Sequence, residues 1–174
     1  MTGYLKQNSL KKDILYNNIL LLCRNKLFYT KFDLIDTFQN RIHLIFVHIS
    51  FIFIRMKLDN KNKIYKVFNQ EMFDLIFNKI ELNMRELGYG DVTINKNMKF
   101  LVKTFYNILL NSEKYKKMSD DAKNRFLNKY LNLNNSKNNT YYMGIIDYFN
   151  KYEAFCFDLI PYNVLQGEIK FNYK

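Results

Sequence analysis

The sequence holds no tryptophan, one proline, two cysteines, two histidines and five glycines in 174 residues. Each scarcity closes a class of reading. With Pro161 as the single strong breaker, nearly the whole length is open to long helices. Cys23 and Cys156 stand far apart, so they form neither a disulfide framework nor a metal spacing. Both have apolar neighbours and read as small core residues in a reducing compartment. So few glycines leave no phosphate-cradling loop, and GYGD at 88–91 is not GxGxxG. The first ten residues, MTGYLKQNSL, carry neither the apolar stretch of a secretory signal nor an arginine-rich transit pattern.

Long hydrophobic runs are scarce too. The most apolar stretch, IHLIFVHISFIFI at 42–54, would rise about 20 Å as a helix. That is short of the roughly 30 Å of hydrocarbon in a bilayer, and Arg41 and Arg55 bound it closely. It reads as a buried core helix.

What the chain has in quantity is apolar and basic residues. It is 48% hydrophobic, with 16 Phe and 14 Tyr, enough for a substantial core in one domain. The formal charge is +11, but only five of the 27 basic residues are arginine. Acidic and basic residues are interleaved, with no dense basic run. A basic ribosome- or RNA-binding protein is therefore the alternative reading of function rather than the first.

The apolar spacing predicts an all-α, single-domain bundle of about six helices over 9–156, after a tail at 1–8 and before an irregular tail at 157–174. The first helix runs over 9–28 with Ser9 as its cap, and the second from Asp36 or Thr37 to about Leu58. Residues 57–63 and 132–139 read as polar loops. Ile64, Phe68, Met72, Ile76, Ile80, Met84 and Leu87 form the clearest stripe. Gly88 then stands where a left-handed residue closes a helix, and Gly90 lets the chain turn again. Asp91, Thr93 or Asn95 would cap a helix over 96–111, antiparallel to the last. Ser119 caps a helix in SDDAKNRFLNKYL, and a last helix covers about 140–155. Glu168–Phe171 is a candidate extended piece.

Residues able to carry chemistry are few. His43 and His48 are five apart, about 140° around a helix, which is wrong for a shared metal. Asp33 and Asp36 read as helix-start acids rather than an acid–base pair. An enzyme using His48 with Asp36 or Glu86 would need an enclosed pocket around the imidazole. Arg41, His48 and Arg55 recur every seven residues and nearly share a helix face. Two readings stay open for this seam. Either the arginines reach solvent while His48 is bonded in the core, or the seam is buried against acids such as Glu86 or Asp91. Glu86 lies at a helix C-terminus, where the dipole disfavours it, so it either has a specific partner, Arg41 or the backbone of the following turn, or is an ordinary surface charge.

These stretches together resemble a known family. Asp36 and Thr37 precede a helix carrying Arg41, His48 and Arg55. Gln70, Phe73, Asp74 and Phe77 follow on the next helix, which ends in the corner Met84-Arg85-Glu86-Leu87-Gly88-Tyr89-Gly90-Asp91. The pattern, over roughly residues 10–120, is similar to the ubiquinol–cytochrome c chaperone family, assembly factors for cytochrome b of respiratory complex III. It departs at Phe105-Tyr106, followed here by Asn107-Ile108 where the family has glycine-arginine. The resemblance implies a non-enzymatic, cofactor-free chaperone of nascent cytochrome b, acting near the ribosomal tunnel exit with a small partner subunit. It assigns partner contact to Asp36, Arg41, His48, Arg55, Arg85, Glu86, Gly88, Gly90, Asp91 and Tyr106. Without a transit pattern, the chain reads as a bacterial member in the cytoplasm, peripheral at the inner face of the plasma membrane.

Overall fold

In the computed structural model the described residues are 2–58, 64–132 and 139–173. The chain runs through α1 (Thr2–Cys23), the single turn α2 (Leu27–Thr30), α3 (Phe38–Leu58), α4 (Ile64–Glu86) and α5 (Asp91–Ser112). A 3-10 turn (Tyr115–Lys117), α6 (Asp120–Tyr130), α7 (Asn139–Asp158) and the short α8 (Pro161–Leu165) complete it. Six of these helices have eleven residues or more, and the described residues contain no strand. The all-α bundle expected from the spacing is the fold. Of the predicted loops at 57–63 and 132–139, Lys57, Leu58 and Asn139 fall in helices, and 59–63 and 133–138 lie outside the described residues.

α3 is the axis. A helix apolar on every side must be covered on every side. α1, α4, α5, α7 and α8 all pack against it, and each residue from Ile42 to Phe53 is buried. Such burial contributes about 1.5–3 kcal/mol for each large side chain. Thr37 fixes where α3 starts: its Oγ1 accepts from the Asn40 amide at 3.1 Å and its carbonyl from the Arg41 amide at 3.1 Å. α4 lays Phe68, Met72, Ile76, Ile80 and Met84 inward as predicted. The ends of its stripe, Ile64 and Leu87, stay exposed.

Three predicted boundaries move. α1 extends back to Thr2, so Ser9 lies inside the helix and not at its cap, and it ends at Cys23. α5 starts at Asp91, with Gly90 as its N-cap and no side chain capping it. Asp91, Thr93 and Asn95 are therefore inside the helix, because the corner needs fewer residues than a side-chain cap at any of them would allow. α7 spans Asn139–Asp158, overrunning the expected end by three residues. Ser119 does cap α6, accepting from the Ala122 amide at 3.3 Å.

The C-terminal segment is irregular in backbone yet firmly packed. The stretch at Glu168–Phe171 forms no strand. Phe171 lies 5.1 Å from the Tyr152 ring and 5.5 Å from the Tyr148 ring, and the Tyr173 hydroxyl donates to Asp147 at 2.8 Å. Aromatic edges, rather than backbone pairing, hold this segment against α7.

Candidate functional site

The seam on α3 resolves into three separate environments. Arg41, at the exposed N-terminal end, grips Asp36 with both Nε (2.6 Å) and a terminal nitrogen (2.7 Å). This paired geometry holds the Asp36 carboxyl below its usual range. His48, two turns on, is fully buried. Its Nδ1 lies 2.7 Å from the Leu44 carbonyl, which only accepts, so Nδ1 carries the proton. Nε2 then accepts from the Tyr148 hydroxyl at 2.8 Å. Both nitrogens are satisfied in the neutral form, and burial pushes the imidazole pKa down to about 4. Arg55 donates from Nε to the Leu159 carbonyl at 2.9 Å, tying α3 to the α7–α8 junction.

The seam is thus a set of internal ties. Neither Glu86 nor Asp91 meets it, which corrects the buried-acid reading. Asp91 bonds Arg85, and Glu86 is exposed with no partner among the described residues. His48 is also no acid–base centre with Asp36 or Glu86. Phe28, Tyr148, Phe149 and Tyr152 enclose it, with ring centroids 4.7–6.0 Å away. Cys23 reaches to 3.6 Å from Nδ1, and burial raises the thiols of Cys23 and Cys156, so both stay protonated core groups. No group of three or more metal-ligating side chains forms among the described residues.

The glycine corner is a complete helix stop. The Tyr89 amide bonds the Met84 carbonyl at 3.1 Å, and the Gly88 amide bonds the Arg85 carbonyl at 2.9 Å. This crossed pair needs a left-handed residue at its centre, and Gly88 has φ +83°. Gly90 has an ordinary φ of −73° and simply precedes α5. Arg85 spans the corner, bonding Glu81 at 2.8 Å and Asp91 at 2.6 Å.

The stop delivers Tyr89 to a groove of about 430 Å³. Phe38 and Ile42 from α3, Met84 and Tyr89 from the corner, and Phe100 and Leu101 from α5 line it. Phe38 and Ile42 also wall a neighbouring hollow of about 140 Å³ that reaches Arg41 and Cys23. Arg41 lines the smaller hollow, whereas Asp36, Arg85, Gly88, Gly90 and Asp91 lie within two residues of groove-lining positions without lining the groove themselves. His48 and Arg55 are not at its surface. Tyr106 lies on a separate groove of about 260 Å³ with Phe53, Phe73 and Leu109, its ring 5.8 Å from that of Phe73. Sequence reasoning missed Phe38 and Phe100 as groove residues and Tyr148 as the partner of His48. Tyr89 was within reach, since an aromatic between two glycines at a helix stop has no core face to fill.

Comparison with known proteins agrees with this architecture. The chain is similar in structure to the crystal structure of the Cbp3 homolog from Brucella abortus. The two are 22% identical, the match covers 99% of this chain and 94% of that one, and the TM-score is 0.81. No curated protein matches the sequence. The family model described as ubiquinol-cytochrome C chaperone matches residues 30–148, which hold α3, the glycine corner and the groove between them. The chain belongs to the ubiquinol–cytochrome C chaperone family.

Proposed function

We propose that this protein is a non-enzymatic assembly chaperone that binds newly made cytochrome b and seats part of it in the groove beside Tyr89. The observation that carries this reading is the groove itself. Half-exposed Tyr89 and Phe100 flank it beside Phe38, Ile42, Met84 and Leu101, and Thr37, Gln39 and Asn97 supply its polar groups. A chaperone for an apolar client needs apolar surface that its own core does not consume, with polar groups at the edge to limit self-association. Asp36, Arg41, Arg85, Glu86, Gly88, Gly90, Asp91 and Tyr106 serve as partner-facing or partner-shaping residues. His48 and Arg55 act through the position of α3. The proposal includes a bacterial cell, a cytoplasmic site at the inner face of the plasma membrane, contact with the ribosome near its tunnel exit, and a small partner subunit. Neither a metal nor an organic cofactor enters the action.

A photo-reactive residue in place of Tyr89, activated in cells, should capture cytochrome b. Deletion of the gene should lower complex III while sparing other respiratory complexes. Capture of unrelated proteins only, together with normal cytochrome b in the deletion strain, would refute the reading. Retention on ribosomal RNA that weakens steeply with salt, with no defect confined to complex III, would favour a basic RNA-binding protein instead.

A further inference from the structure

The exposed side of α5 mixes cations with apolar groups. Val92, Phe100, Tyr106 and Leu110 are 85%, 56%, 49% and 58% exposed. Lys96, Lys99 and Lys103 are exposed among them. None of these lysines is ion-paired among the described residues. At the helical advance these seven positions fall within an arc of about 120°. The only acid in α5 is Asp91, which lies outside the arc and is held by Arg85. α1 also exposes Leu10, Ile14 and Leu21, but that stripe has, among its described side chains, no exposed charge to select a partner. The face of α5 does. No described helix is long and apolar enough to cross a membrane, so a lipid contact here is interfacial.

We propose that the outer face of α5 docks the protein on an anionic lipid bilayer. Val92, Tyr106 and Leu110 enter the boundary between headgroups and acyl chains, while Phe100 stays with the groove. Lys96, Lys99 and Lys103 lie along the surface with their stems on apolar ground and their ammonium groups at the lipid phosphates. This inference deepens the peripheral-membrane part of the proposed function by naming the face, and it does not depend on which client the groove holds.

Flotation of the full chain with vesicles tests it. Phosphatidylcholine vesicles containing phosphatidylglycerol should carry the protein, and vesicles of phosphatidylcholine alone should not. The triple variant K96Q/K99Q/K103Q should bind the anionic vesicles about a hundredfold more weakly, the loss expected for three lysines at a charged surface. Leu110→Ser with Tyr106→Ser should weaken binding about tenfold and leave its salt dependence in place. The control K26Q/K129Q/K170Q removes the same charge from exposed positions on other elements and should stay within about twofold of the wild type. Thermal melting of each variant checks that the fold is intact.

Equal binding of wild-type protein to both vesicle types overturns the proposal without reference to any variant. So does an equal loss in the control variant, which would reduce the effect to net charge. Binding of single-stranded RNA that the α5 triple variant abolishes, with no vesicle binding by the wild type, also overturns it and transfers the face to nucleic acid. Capture of cytochrome b from Tyr89 would survive all three outcomes, so the two proposals fail separately.

Discussion

His48 and Tyr89 each stand where an apolar pattern of the chain is interrupted, and they meet opposite fates. His48 is wholly buried with both nitrogens bonded, whereas Tyr89 is 43% exposed at the lip of a groove. The cause is local. His48 lies mid-helix on an axis covered from every side, so its polarity is tolerable only if the core supplies partners. Tyr89 follows a helix stop, where the backbone bonds of the stop itself satisfy the amides and leave the side chain free. A polar residue inside a long apolar run is thus a structural tie, while an aromatic in a glycine corner is available to a partner.

The sharpest way to break this comparison is to charge His48. Its folded pKa is about 4 against an ordinary 6.5. Between those values the unfolded chain binds a proton that the folded chain refuses. Stability is therefore complete above pH 6.5 and declines as pH falls towards 4, by up to about 3 kcal/mol from this group. Burial shifts His43 in the same direction. Urea unfolding at pH 7 and pH 4.5 should show the fall, and His48→Gln should flatten it. A pH-independent midpoint across that window would mean that His48 is not sealed in. His48→Ala at pH 7 should itself cost about 3 kcal/mol, since it opens a cavity and strands the Tyr148 hydroxyl.

The two glycines of the corner sharpen the comparison at a smaller scale. A Cβ at Gly88 would meet nothing within 4 Å, so a substitution there is penalised by backbone conformation alone. Gly88→Val should lower stability by about 1–2 kcal/mol, because a β-branched residue resists φ +83°. Gly90 also faces open space but already has the conformation of an N-cap. Gly90→Ser should raise stability by a few tenths of a kcal/mol, through a hydroxyl that accepts from the start of α5. Thermal melting of the pair side by side reads both signs. Equal effects would show that the two glycines share one role.

The backbone of this story was legible in the sequence where a local rule acts alone. The run at 42–54 announces a buried axis, the α4 stripe a half-buried helix, and Gly88 a stop. Ser119 announces a cap, and Asp36 or Thr37 the start of a helix. What was not legible depends on distance along the chain. Nothing near His48 points to Tyr148, a hundred residues away, and nothing near Arg55 points to the Leu159 carbonyl. Phe38 and Phe100 became groove walls without a local sign, because which face of a helix is left uncovered follows from packing, not periodicity. The Asp91 cap failed for a local reason that competed: the stop at Gly88 lets α5 begin at once.

Asp91→Ala should change stability least and test the comparison most directly. The Arg85–Asp91 pair is exposed, with Asp91 77% open, so its loss should barely move the melting midpoint. Arg85 retains Glu81, so the corner keeps one of its ties. If the rim of the groove exists for a partner, capture of the client from Tyr89 should drop several-fold while the melting midpoint barely moves. The reverse pattern, a large loss of melting temperature with capture in proportion to folded protein, would make Asp91 a tie like His48. The division between buried seam and open corner would then no longer separate structural residues from partner-facing ones.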